Sequence, residues 1–226
     1  MHFKYFFLNN FFFIVNPIFN GSTILTNDLD IKLAHLINLP AAKTYELVYK
    51  ASVDGMNASS FHSKCDGILG TLTLIKSKNL NIFGGYTEAD WSGFGYKYDA
   101  NAFLFSLINK YSIPTKMSVM IPDYAILSSS SIGPAFGSGH DLACFDNSGL
   151  CQSQNLRYTY QLPEFLTETN GRPQTFLGGV ENFLGVVESF QVLDVEVYSV
   201  LIDRKLFLIF SSKPLNNLNI NIIKFF

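Results

Sequence analysis

Charge of either sign is scarce in this chain. Of its 226 residues, 16 are Lys or Arg and 18 are Asp or Glu, 15% in all, for a formal net charge of −2. Without a basic excess there is no electrostatic footprint for nucleic acid. Cysteine is scarcer still, with only Cys65, Cys144 and Cys151. An odd, small number cannot complete a disulfide framework, so free thiols in a reducing compartment are the simpler expectation. No Cys-x-x-Cys or second His pair completes a zinc ligand set. No G-x-G-x-x-G opens a long helix, which argues against a phosphate cradle. An unbroken apolar span is lacking too. Residues 3–19 are apolar, but Lys4, Asn9, Asn10, Asn16 and Pro17 interrupt them. A membrane-crossing helix needs about 20 mostly apolar residues. No A-x-A-like cleavage site follows, so a secreted or anchored protein with residues 1–20 as signal is the alternative to a cytoplasmic one.

What the chain does have is apolar bulk. Hydrophobic residues make up 48%, including 22 Phe and 11 Tyr. The length suits one domain with a core that needs no staples. The ends differ from the middle: residues 1–23 read as an unpatterned apolar leader and 201–226 as an unpatterned apolar and Asn-rich tail, leaving 24–200 as the domain. Within it, Leu29, Leu33, Leu36 and Ile37 fall at helical spacing, which predicts a helix over 26–39 capped by Asn27, with Asp30 at N3 and Pro40 as the stop. Tyr45–Ala51 alternates like a strand, and a short helix follows with Asn57 as its cap. Further strands are predicted over Thr71–Lys76, Ile82–Tyr86, Ala102–Ile108, Tyr124–Ser128, Asp141–Phe145, Phe183–Val187 and Val192–Val200. In the last, Leu193, Val195 and Val197 face one way. Asp194, Glu196 and Tyr198 face the other, read as the solvent side. Many short strands separated by Gly, Pro, Ser and Asn predict a mostly β, two-sheet antiparallel sandwich with a few short helices.

Several short runs then acquire a shared meaning. YELVYKASVDGMNASSFHSKCDG, beginning at Tyr45, leads through TLTLIK to NIFGGYTEADW. DANAFLFSL, IGPAFGSGHDL and SFQVLDVEVY follow in order. As a set they resemble the TLDc domain family, through Asp54, Gly55, Phe61, His62, Cys65, Asp66, Gly84, Gly85, Gly137, Gly139, His140, Asp141 and Glu196. Ser138 stands where the family usually has the middle of three glycines, and would be strained if that position needs a positive φ. The resemblance implies a β-sandwich, a part in oxidative-stress resistance and binding to subunits of the vacuolar proton-pumping ATPase. It implies no agreed catalytic mechanism.

The residues can also be tested for chemistry directly. Ser138, His140 and Asp141 hold the residue types of a hydrolase triad, but adjacent His and Asp point to opposite faces of an extended chain. A bonded glycine turn is the simpler reading. His62 and Cys65 have H-x-x-C spacing but too few companions for a metal, and no cofactor is expected. Cys65 sits toward the C-terminal end of its helix, where the dipole does not favour a thiolate. Asp194 and Glu196 are spaced like a carboxylate pair, yet read better as a solvated face, a candidate partner surface together with Trp91. Trp91 reads more readily as core. Gly84 and Gly85 suggest a bulge or a close backbone contact. The reading is a non-catalytic interaction module without firm membrane insertion. An enzyme acting through the glycine turn around His140 is the alternative, and a domain cut from a longer protein a third.

Overall fold

The computed structural model describes residues 4–8, 11–15, 17–38, 44–145, 150–153, 158–163, 189–201, 207–211 and 220–224. It is a β-sandwich of two antiparallel sheets. In chain order the elements are β1 (Lys4–Leu8), β2 (Phe11–Val15), α1 (Asn27–Leu36), β3 (Thr44–Lys50), α2 (Ala51–Asp54), α3 (Ala58–Cys65), β4 (Thr71–Ser77), β5 (Ile82–Thr87), β6 (Gly95–Lys97), β7 (Phe103–Ile108), β8 (Thr115–Ser118), a 3-10 turn at Pro122–Tyr124, β9 (Ile126–Ser128), β10 (Ala135–Phe136), β11 (Leu142–Cys144), β12 (Cys151–Gln152), β13 (Val192–Leu201), β14 (Phe207–Ser211) and β15 (Ile220–Lys224). One sheet has the order β3-β13-β4-β5-β7-β8 and the other β12-β11-β10-β9-β6. The terminal segments pair among themselves, β1 with β2 and β14 with β15.

Both faces of the six-stranded sheet are buried, and β4 shows how the sequence arranges it. Leu72 and Leu74 enter an outer core with Phe19, Ile24, Leu33, Ile37, Phe103, Phe105 and Tyr198. Ile75 enters the inter-sheet core with Tyr49, Phe61, Cys65, Phe83, Leu104, Phe136, Val195 and Val197. The segment Phe19–Ile24 and α1 therefore act as a strap across the outer face. A sheet covered on both sides needs apolar residues at nearly every position, which accounts for the low charged fraction. Each large side chain so buried contributes roughly 1.5–3 kcal/mol. Phe19, placed in the leader by its sequence, is a core residue, packed against the rings of Tyr45 and Tyr198.

Most predicted elements are present, with shifts that have local causes. The N-cap position of the first helix is Thr26, not Asn27, and its side chain makes no capping bond. Asp30 has turned from capping to strapping: its carboxylate accepts from the backbone N–H groups of Ile18 (2.9 Å) and Phe19 (3.2 Å). Asn57 caps α3 as expected, accepting from Ser60 N at 2.8 Å. The strand predicted to end at Ala51 ends at Lys50, because Ala51 begins the short helix α2. The strand predicted from Tyr124 begins at Ile126, since Pro122 nucleates the preceding turn. Phe183–Val187 lies outside the described residues.

Two β-bulges break the simple alternation. The pairing of β13 with β3 runs from Tyr49↔Val197 to Leu47↔Tyr198, so Val48 is the extra residue. One extra residue flips the faces. Tyr45 and Leu47 thereby belong to the outer core and Tyr49 to the inner one. On the other side of β13 the pairing runs from Val192↔Ser77 to Asp194↔Lys76, and Leu193 is the extra residue. Leu193 is consequently 43% exposed instead of aligned with Val195 and Val197.

Gly84 and Gly85 make close contacts. A Cβ on Gly84 would meet the Thr73 carbonyl oxygen at 1.9 Å, and one on Gly85 would meet the Leu104 and Phe136 side chains at 2.8 Å. Backbone cannot yield as a side-chain tip can, so Gly84→Ala is expected to lower stability by about 3 kcal/mol through overpacking. Gly67→Ala, in open space at φ +78°, should lose only about 1 kcal/mol to backbone conformation. Denaturant melts of the two variants check the order. Equal losses would show that the Thr73 carbonyl yields and that the Gly84 contact is not a hard constraint.

Candidate functional site

The two carboxylates of β13 organise the strap. Glu196 has no exposed surface. Its Oε2 accepts from Ser22 Oγ (2.7 Å) and Tyr198 Oη (2.8 Å). Its Oε1 accepts from Thr23 N (2.8 Å), Thr23 Oγ1 (3.1 Å) and Lys50 Nζ (2.8 Å). Asp194 accepts from Ser52 N (2.9 Å) and Ser52 Oγ (2.7 Å) and lies 3.3 Å from Lys50 Nζ. The solvated-face expectation for Asp194, Glu196 and Tyr198 is therefore corrected. Alternation on β13 marks a strand buried on both sides, with its acids bonded to the covering segments. Burial opposes the Lys50 charge, but hydrogen bonding and attraction from Glu196 and Asp194 outweigh it and raise its pKa above the ordinary value.

Removing one partner of a buried ion pair and leaving its cation and donors without it is costly, about 3 kcal/mol or more. Glu196→Ala is expected to lose that much, and Ser22→Ala about 1 kcal/mol. The sign for Lys50 follows from its raised pKa. Its contribution is complete below the ordinary 10.5 and is lost as pH rises through the higher folded value. Melting temperature should thus fall above pH 10.5 in the wild type, and the Lys50 share of that fall should vanish in Lys50→Met. A Glu196→Ala variant as stable as wild type would show the strap to be dispensable.

The glycine turn is a second knot. Positive φ falls at Gly137 (+81°), Gly139 (+73°) and His140 (+67°), not at Ser138. Serine therefore replaces the family's middle glycine without strain. Asp141 is fully buried, and its Oδ1 accepts from Thr159 N (3.3 Å) and Tyr160 N (3.4 Å). A Cβ on Gly137 would sit 2.0 Å from Asp141 Oδ2, so glycine makes room for that carboxylate. Ser138 N donates to Thr159 Oγ1 (2.8 Å), and His140 Nδ1 meets Gln152 Nε2 at 3.0 Å. These bonds tie the turn to β12 and to the Thr159–Tyr160 segment.

A third knot joins α3 to both sheets. His62 Nδ1 lies 2.7 Å from Asp66 Oδ1, and its Nε2 lies 2.9 Å from the carbonyls of Ser129 and Ile132. Asp54 accepts from Lys50 N (2.9 Å), and Tyr49 Oη donates to the Gly55 carbonyl (2.7 Å). Trp91 is fully buried, donates from Nε1 to Thr71 Oγ1 (2.9 Å) and meets the rings of Phe61 and Phe136 edge-on, both at 5.4 Å. It is core, and presents no surface to a partner. Cys65 is buried beside Phe61, and burial, followed by the charge of Asp66, pushes its thiol far up. Among the described residues, no three His, Cys, Asp or Glu side chains gather as metal ligands.

The cysteine expectation needs correction. Cys144 and Cys151 face each other across β11 and β12 and form a disulfide, leaving Cys65 as the free thiol. Seven residues apart with Asp146–Asn147 and Gly149 between, they carry a hairpin spacing that counting three cysteines passed over.

Sequence reasoning also missed an exposed aromatic group. Phe94 is 90% exposed, Tyr98 65% and Tyr96 44%, and Tyr96 meets Tyr124 edge-on at 5.0 Å. Gly93 and Gly95, on either side of Phe94, have φ of +85° and +109°. The available signal was the alternation Gly93-Phe94-Gly95-Tyr96-Lys97-Tyr98 next to a tryptophan.

No curated protein matches the chain. The family model described as TLDc domain matches residues 18–201, beginning beside the buried Phe19 and ending with the last residue of β13. On that match, which spans both sheets, the strap and all three knots, the chain belongs to the TLDc domain family.

Proposed function

We propose that this chain is a non-catalytic interaction module of the cytoplasm that supports oxidative-stress resistance by binding subunits of the vacuolar proton-pumping ATPase. The observation that favours a binding role is where the reactive residue types sit. Asp141 is bonded to Thr159 and Tyr160, Glu196 to the strap, and His62 between Asp66 and two carbonyls. Side chains held this way stabilise a rigid scaffold that displays its loops. The pump and stress roles rest on family membership. One observation favours another location. The Cys144–Cys151 disulfide suits an oxidising compartment, reached if residues ahead of the Asp30-bonded Ile18–Phe19 segment act as a signal.

The test uses the full chain. Tagged protein expressed in cells should co-purify with pump subunits and raise peroxide survival, and fractionation should place it in the cytoplasm. Cys65→Ala should leave both effects intact, because a scavenger needs an accessible thiolate and Cys65 is buried with a raised pKa. His140→Ala should lower stability by about 1 kcal/mol and leave a hydrolase screen as negative as that of the wild type. Turnover of an ester, peptide or glycoside that disappears in His140→Ala at unchanged stability would replace this reading with the enzyme one. Protection that follows Cys65 and ignores pump binding would replace it with thiol chemistry.

A further inference from the structure

The open edge of the five-stranded sheet has features that neither the core nor the strap explains. Among the described residues, β6 ends that sheet and pairs only with β9. Proteins usually protect such an edge, because its unpaired N–H and C=O groups accept another strand. Here the edge carries exposed aromatics instead: Phe94 just before β6, Tyr96 within it and Tyr98 just after. The two left-handed glycines around Phe94 add to the point. A Cβ on Gly93 or Gly95 would meet no atom within 4 Å. Glycine at these positions sets the backbone path and not a packing contact, and that path projects Phe94 into solvent.

The charges around this edge are one-sided. Lys97 is the only cation of the segment 88–99, and its Nζ donates to the backbone oxygen of Asp90 (2.6 Å) and lies 3.4 Å from Asp90 Oδ2. Beside Tyr98, Asp99 accepts from Glu88 N (2.6 Å) and donates its own N–H to the Pro122 carbonyl (3.1 Å). Those bonds bring Glu88 and Asp123 to the same rim, and both are exposed. The aromatic edge is therefore bordered by carboxylates whose local lysine is already engaged. A second copy of this chain would bring two acidic rims together, which disfavours self-pairing.

We infer that the β6 edge, with Phe94, Tyr96, Tyr98 and Tyr124, is a docking surface for an extended, lysine- or arginine-bearing protein segment that adds to the sheet as a further strand. Backbone pairing to β6 would hold the segment, the aromatic side chains would receive its alternate apolar residues, and the Glu88–Asp123 rim would select its charge. This deepens the interaction-module reading and rests on it.

The probe is a displayed library of random linear peptides, screened against the full chain. The expected outcome is enrichment of peptides that alternate apolar residues and contain Lys or Arg. A selected peptide should slow amide exchange at residues 95–97. Its affinity should fall about tenfold in a Phe94→Ser, Tyr98→Ser double variant, as for loss of two aromatic anchors. Both side chains are exposed, so the variant should melt like wild type. No enrichment, enrichment without basic residues, or affinity unchanged in the double variant overturns the inference. Pump co-purification of the same proteins separates the two proposals. A wild-type chain that retains pump subunits but selects no peptide overturns the docking edge alone. One that selects basic peptides at β6 but retains no pump subunit supports the edge and leaves the pump assignment to fail by itself.

Discussion

Strand β13 lies between β3 and β4, one strand in from the end of the larger sheet, and it is buried on both faces with two carboxylates of its own. That constraint governs much of the molecule. A buried anion needs hydrogen-bond donors and a counter-charge, and no single neighbouring strand supplies all of them. Glu196 draws donors from residues 22 and 23, a cation from Lys50 on β3 and a hydroxyl from Tyr198 on its own strand. Asp194 draws the backbone and side chain of Ser52 at the turn into α2. The acids therefore specify where the strap lies and where β3 ends. Van der Waals packing of Phe19, Leu33 and Ile37 over the outer face follows once that register is set.

The same logic extends to the short motifs that identify the family. Asp54 and Gly55, Phe61 through Asp66, and Gly137 through Asp141 look chemical when read as isolated residues. In space each is a bonded corner that holds a helix or turn against a sheet. The pattern is physically sensible for short strands, several of only two or three residues, which cannot hold register by ladder bonds alone. Buried side-chain-to-backbone bonds across the gaps supply the missing specificity.

Much of this was legible in sequence, and the failures have definite causes. Element type came through wherever a local rule dominated, as with Asn57 capping α3 or alternation along β4. Face assignment failed on β13 because alternation of apolar and acidic residues is ordinarily produced by solvent, and here it is produced by a covering strap 170 residues away in the chain, as in the Ser22–Glu196 bond of separation 174. The bulges at Val48 and Leu193 depend on pairing partners, so no window within one strand can reveal them. The Cys144–Cys151 pair was hidden by parity: an odd count argues against a framework, but not against one bridge across a hairpin.

The distribution of order and exposure then separates scaffold from surface. Of the residues that carry the family resemblance, Phe61, Cys65, Gly84, Gly85, Gly137, Asp141 and Glu196 are buried and Asp54 and His62 are bonded at corners, so they serve the fold and leave recognition to positions with no structural duty. Phe94 is the clearest of these. Neither core is filled by it, since it is 90% exposed, and the glycines on both sides meet nothing that would require them. An exposed large aromatic lowers solubility and contributes nothing to the stability of the free domain. Its placement beside an edge that no further strand pairs among the described residues, bordered by acids, is what the docking proposal accounts for. A TLDc fold built this way combines a rigid interior fastened by buried polar bonds with a β6 edge that, among the described residues, pairs on one side alone.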